Sequence, residues 1–176
     1  TVDLINAQKP DLVAITGDFV ELGKIDPVAN DLIDTLTKLQ ATDGVVGVLG
    51  NHDHWKNAPQ ISEVLRTANV IELPNDSIVI ERDRARLTTA GLDEVRESKD
   101  DLDKLLATMP DDVPAVLLAH EPDIADETSA TGRFGLQISG HSHGGQIQLP
   151  LIGAPYLPWL GRNYPIGRYQ VGNMVQ

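Results

Sequence analysis

VVGVLGNHD, Val45 to Asp53, reads as a short apolar run that ends on a glycine and then delivers a series of polar side chains. VVGVL follows an Asp-Gly turn signal and has the length and composition of a buried strand. Upstream, DLVAITGDF (Asp11 to Phe19) repeats the form: DLVAI follows a Lys-Pro turn and hands over to Gly17 and Asp18. Between the two runs Val28, Leu32, Ile33, Leu36 and Leu39 recur at helical spacing. Asp26 is the candidate cap of that helix and Pro27 its first residue. Strand, helix and strand in this order predict a parallel pair, and therefore an α/β fold.

Downstream, PQISEVLRTA predicts a second helix, and VIEL, SIVIER and ARLTTAGL predict strands separated by Pro-Asn-Asp and charged turns. DDLDKLLATM is again helical, while PAVLLAH and FGLQISGH are two more apolar runs, each ending on histidine. From Leu149 to Tyr169 the chain is rich in Gly, Pro and aromatics, read as loop with short strands in which Tyr156, Trp159 and Tyr164 pack. No repeat or linker interrupts the pattern, so residues 1–176 are expected to form one domain with mixed strand connections.

A formal charge of −12 disfavours binding to a nucleic-acid backbone through counterion release. With no cysteine in the chain, any bound metal must be held by nitrogen and oxygen donors. No stretch approaches the roughly 20 apolar residues that span a bilayer.

All five histidines, His52, His54, His120, His141 and His143, lie beyond apolar runs. Asp18 and Asn51 occupy equivalent places. In an open α/β sheet the carboxyl ends of the strands form the ligand crevice, so these groups are expected on one rim. Gly17, Gly50 and Gly140 precede them, where the chain must turn sharply. GHSHG, Gly140 to Gly144, also spells a serine hydrolase elbow, but that motif should enter a helix and be followed by an acid and a histidine. No Asp, Glu or His follows Gly144, which argues against Ser142 as a nucleophile. Taken one at a time, an Asp or Asn after a strand is usually a cap or turn former. His54 falls outside the ligand pattern, and Arg162 and Arg168 read as solvated or structurally paired.

In order, GDF, GNHD, AHEP and GHSHGG resemble the four signature blocks of the calcineurin-like metallophosphoesterases, spanning Gly17 to Gly145. The GHSHGGQ form is similar to a bacterial, membrane-associated branch of that family. The resemblance implies a four-layer αββα sandwich of two mixed sheets, and phosphate-ester hydrolysis by a hydroxide bridging two divalent metals, Mn, Fe or Zn. It implies that Asp18 bridges both ions, that Asn51, His120 and His141 complete one, and that His143 binds the other. His52 would lie near the leaving-group oxygen, with Asp53 orienting its imidazole.

The family pattern opens with an Asp-x-His block that nothing before Asp18 supplies, since Asp3 and Asp11 lack the histidine. The chain is therefore expected to lack a first strand and its last strands, and to hold as few as one ion. A metal-binding module without catalysis is the alternative. The implied partners are a phosphorylated small molecule or lipid-linked nucleotide, in the cytoplasm or at the membrane surface of a bacterium, with any membrane attachment residing in segments outside this sequence.

Overall fold

A computed structural model describes residues 1–21 and 25–176. Helix α1 (Val2–Ala7) leads into the first sheet, where β1 (Val13–Thr16), β2 (Val45–Val48) and β3 (Val70–Glu72) run parallel in that order. The second sheet contains β4 (Asp76–Arg82), β5 (Ala85–Leu92), β6 (Ala115–Ala119), β7 (Phe134–Ile138), β8 (Gln170–Val171) and β9 (Met174–Val175). Its order is β4-β5-β6-β7-β9-β8, with β4/β5 and β8/β9 antiparallel and the inner pairs parallel. Both expected sheets are present; the second is mixed, whereas the described strands of the first are all parallel.

Alternation along the strands explains the layering. Val45 and Leu49 turn toward Leu36 of α2 (Ala29–Leu36) and toward Ile61 and Leu65 of α3 (Asn51–Thr67). Val46 and Val48 turn the other way, against Leu73 and Leu118, and form the layer between the sheets. Leu117, next to Leu118 on β6, faces outward again and packs with Leu105 of α4 (Leu102–Thr108) and Ala125 of α5 (Ala125–Ala130). The order is helices, sheet, sheet, helices, a four-layer αββα sandwich.

Two helix boundaries differ from the sequence reading. Helix α2 starts at Ala29 rather than Pro27, because the Asp26 carboxylate accepts a hydrogen bond from Gln60 Nε2 at 2.5 Å instead of capping its own helix. Helix α3 begins at Asn51, eight residues before Pro59, and is broken at Asn57 (φ −175°, ψ 82°). Pro59 has no N–H to give, and its ring crowds the carbonyl of Trp55 one turn earlier, so the break falls just ahead of it. The GNHD block is therefore a helix N-terminus. Helix α5 was not anticipated, since ADETSA is too short to show an apolar period. Among the described residues no helix is long and apolar enough to cross a membrane.

Candidate active site

Four strand ends meet at one rim. Past β1, Gly17 (φ 88°) turns the chain and Asp18 follows at φ 56°; past β7, His141 and His143 take φ 63° and 50°. Positive φ at three non-glycine residues of one cluster is strained backbone of the kind that gathers at functional sites. A Cβ on Gly17 would stand 2.6 Å from the Gly50 backbone nitrogen and 2.7 Å from His120 Nδ1, so close approach and backbone angle both demand glycine there. For Gly50 the sharp-turn expectation is corrected. Its backbone is extended (φ −110°, ψ 176°), and what requires glycine is the Asp18 carboxylate and the His120 ring lying where a Cβ would be.

The donor atoms converge on a single side-chain oxygen. Asn51 Oδ1 lies 2.8 Å from His141 Nδ1 and 3.2 Å from His120 Nε2, and Asp18 Oδ2 lies 3.3 Å from His120 Nε2. The far nitrogens of the two imidazoles face backbone carbonyls: His120 Nδ1 is 2.6 Å from Thr16 O, and His141 Nε2 is 2.8 Å from Trp159 O. Those carbonyls can only accept, so each ring holds an N–H outward and, when neutral, turns a lone pair inward, His141 toward Asn51 Oδ1 and His120 toward Asn51 Oδ1 and Asp18 Oδ2. Acceptors gathered this way call for a positive centre, which a second proton on His120 Nε2 against Asp18, or a bound cation, would supply. The donor set, imidazole nitrogen with amide and carboxylate oxygen, is one that suits a divalent metal, and the outer carbonyls fix the tautomers as metal-ligating histidines require.

Burial pushes the Asp18 carboxyl up, but His120 and the backbone N–H of His52, 3.1 Å from Oδ1, outweigh it and hold the group below its ordinary value. Burial pulls His120 down, while Asp18 and the Thr16 carbonyl overcome this and raise it. Burial lowers His141 and leaves it a neutral lone-pair donor. His143 is exposed at the cavity wall, and its ring is not among those converging on Asn51.

The expectation that Asp53 orients the His52 imidazole is corrected. His52 Nδ1 faces the Glu21 carbonyl at 3.2 Å, while the fully buried Asp53 carboxylate accepts from the backbone N–H groups of Gly50 (2.9 Å) and Val20 (3.1 Å). Adjacent residues on a helix point about 100° apart, so once α3 begins at Asn51 the two side chains cannot meet. Burial raises the Asp53 carboxyl despite those donors. His54 pairs with Asp93 at 2.9 Å, away from the cluster. The Ser142 hydroxyl donates to the Pro165 carbonyl at 2.5 Å, with no histidine or carboxylate on it.

A cavity of about 440 Å³ opens on one side of the cluster, and Asp18, Asn51, His52, Trp55, Arg96 and His143 are among its lining. That volume suits a small-molecule ligand. Sequence reasoning missed Trp55 and Arg96, and it missed Glu121, whose carboxylate lies within 4.8 Å of ring nitrogens of His120 and His141. Glu121 turns its hydrogen bonds away from the cluster, toward Glu94 and the Val95 N–H. Burial and the Glu94 carboxyl push it up to about 8, so at neutral pH Glu121 holds its proton. Its position directly after His120 was the available signal.

A family model described as calcineurin-like phosphoesterase matches residues 1–145. The chain belongs to that family. It is 34% identical over 171 residues to the Bacillus subtilis metallophosphoesterase YkuE, covering 96% of this chain and 59% of the relative. With the Escherichia coli phosphodiesterase YaeI it shares 29% over 163 residues, covering 91% and 58%. The chain thus spans less than two thirds of the curated relatives' length. Among solved structures, Haemophilus influenzae NAD nucleotidase superposes with a TM-score of 0.55 at 15% identity, over 80% of this chain and 34% of that one. Thermus thermophilus sulfate thiohydrolase SoxB gives 0.54 at 13%, over 98% and 34%. At those identities the likeness is one of fold. Calcineurin-like phosphoesterases hydrolyse phosphoesters with divalent metals, and this member gathers nitrogen and oxygen donors at its strand ends.

Proposed function

We propose that this chain carries a metal-dependent phosphoester hydrolase site in which Asp18, Asn51, His120 and His141 hold one divalent ion. The observation that carries the reading is the inward convergence of acceptors, with Asn51 Oδ1 2.8 Å and 3.2 Å from ring nitrogens whose partners face carbonyls. His143, on the same cavity wall as Asp18, would be the residue to hold a second ion beside the first. Divalent ions of the Mn, Fe or Zn kind supply Lewis-acid polarisation of phosphoryl oxygens and an activated water.

The residues divide the remaining work. Asp18, held ionised by His120 and the α3 N-terminus, supplies the one full negative charge among the four donors. His52 keeps its Nδ1 on the Glu21 carbonyl and presents Nε2 to the cavity, where its protonated form donates to the departing oxygen. Asp53 acts on the backbone: by capping α3 it fixes the angle at which Asn51 and His52 leave the helix.

The test is Mn²⁺ calorimetry together with hydrolysis of bis(p-nitrophenyl) phosphate by the intact protein and by His141→Ala. The expected result is metal-dependent turnover that His141→Ala reduces by at least about 100-fold, since losing a ligand costs more than the roughly 10–100-fold of an outer-shell change. Folded protein that binds no metal and gives no turnover refutes the reading. About one bound ion per chain without turnover points instead to the catalytically inert metal-binding module.

A further inference from the structure

Arg96 lies in the loop between β5 and α4 and is exposed. Its guanidinium carbon stands 4.9 Å from the centre of the Trp55 ring, and that ring lies 5.0 Å from the His52 imidazole. His52, Trp55 and Arg96 therefore form a row along one wall of the cavity, starting beside Asp18, which takes the His52 backbone N–H at 3.1 Å. The loop is pinned to α3 on either side of Arg96: Asp93 pairs with His54 at 2.9 Å, and Glu97 Oε1 accepts from Trp55 Nε1 at 2.7 Å.

Arg66, Arg82, Arg86 and Arg133 each sit against at least one carboxylate; Arg84, Arg162 and Arg168, like Arg96, have none among the described residues, but of these four only Arg96 lines the cavity beside Asp18 and His52. Arg96 has none within 4.0 Å among the described residues, in a chain of net charge −12. The neighbouring Glu97 is turned to the indole instead. Stacking on Trp55 orients the guanidinium plane while leaving its N–H donors free, which is how arginine is used to recognise phosphate and carboxylate.

We propose that Arg96 is an anion subsite for the leaving group. It seats a second negative group of the substrate, beyond the scissile phosphorus and past His52. The preferred substrates are then phosphate esters or anhydrides whose leaving group is itself anionic, such as diphosphates cleaved between their two phosphorus atoms. This rests on the phosphoesterase reading, because His52 marks the leaving-group side.

Two substrates with singly charged scissile phosphorus test it in the intact, Mn²⁺-loaded protein: bis(p-nitrophenyl) phosphate, whose leaving group carries no further charge, and ADP-glucose, whose leaving group carries a phosphate. Arg96→Ala is expected to lower the ratio of kcat/KM for ADP-glucose over the diester about 10–100-fold, the span for losing a charge-assisted hydrogen bond, chiefly through KM. Arg96→Lys recovers only part, lacking the planar fork. Calorimetric affinity for AMP is expected to fall about tenfold in Arg96→Ala by the same arithmetic. Equal losses on both substrates, or unchanged AMP affinity, overturn the subsite. If the unaltered protein hydrolyses neither substrate, the phosphoesterase reading fails. The AMP measurement then decides the subsite alone, and absence of AMP binding to the unaltered protein counts against it.

Discussion

Gly50→Ala adds one methyl group where β2 hands over to α3. Alanine adopts the Gly50 angles (φ −110°, ψ 176°) freely. On backbone grounds the change therefore stabilises the fold, by about 0.4–1 kcal/mol through the unfolded chain. Space reverses the sign. The added Cβ would stand 2.6 Å from His120 Cε1 and 2.7 Å from the Asp18 backbone nitrogen, with the Asp18 carboxylate closer still. The carboxylate can swing aside but the backbone nitrogen cannot, so an overpacking cost of about 1–3 kcal/mol applies and leaves a net loss of about 1–2 kcal/mol. In a chain of 176 residues this lowers Tm by about 2–8 °C, at roughly 2–4 °C per kcal/mol. Gly135→Ala is the control, because its Cβ meets nothing nearer than Ala115 O at 4.0 Å and should leave Tm level or raised. Thermal unfolding in EDTA reads the packing effect, and Mn²⁺ calorimetry reads its functional side, where a displaced Asp18 should weaken binding at least about tenfold, as misplaced ligand support does. If Gly50→Ala matches the parent in both Tm and affinity, the close-approach reasoning is wrong.

Saturating Mn²⁺ at 100 times Kd should stabilise the protein by about 2.7 kcal/mol, or roughly 5–11 °C in Tm at this chain length; EDTA should reverse the shift and His141→Ala should abolish it, as differential scanning calorimetry would show. His54 is raised by its hydrogen bond to Asp93, with burial opposing, so its pairing stabilises the fold fully below the ordinary histidine value and fades as pH climbs through the raised one. The Tm gap between the parent and His54→Gln, measured from pH 5 to pH 9, should therefore be widest at the acid end. Leu118→Ala empties a fully buried position between the sheets and should cost about 2–5 kcal/mol in denaturant unfolding, whereas Leu151→Ala, fully exposed, should stay within about 0.5 kcal/mol.

The strands and the rim were legible because each apolar run is short, bounded by turn signals and followed by a polar side chain. Run length and the flanking turn residues carry that information. The start of α3 was not legible: NHDHWK supplies six polar or amphipathic residues before the break at Asn57, too few for an apolar stripe to show. Glu94 and Glu121 meet because β5 and β6 pair in parallel with Leu92 opposite Ala119, which places the residues just beyond both strands side by side. Only the register reveals that contact. The stacking of Arg96 on Trp55 likewise depends on a loop folding back over a helix, for which local sequence holds no signal. Gly50 was marked as important for the wrong reason, since a sequence suggests a turn more readily than a crowded neighbour.

That Asn51 opens a helix changes what the GNHD block does. The first N–H groups of a helix have no partner within it, and its N-terminus carries partial positive charge. Here two nearby backbone N–H groups, of Gly50 and Val20, are taken up by Asp53, and that of His52 is aimed at Asp18 Oδ1 at 3.1 Å. The donor from His52 helps keep a half-buried carboxylate ionised against the pull of burial. The ionised carboxylate in turn faces His120, whose outward N–H is committed to the carbonyl of Thr16, the last residue of the strand that leads to Asp18. β1, β6 and α3 are thus tied through one carboxylate and one imidazole, and the amide of Asn51 is carried to their junction by the same helix turn. Backbone groups at Thr16, His52 and Gly50 hold these side chains in place through Asp18, His120 and Asp53, and a cation bound there would take over the positive charge that His120 turns toward Asp18.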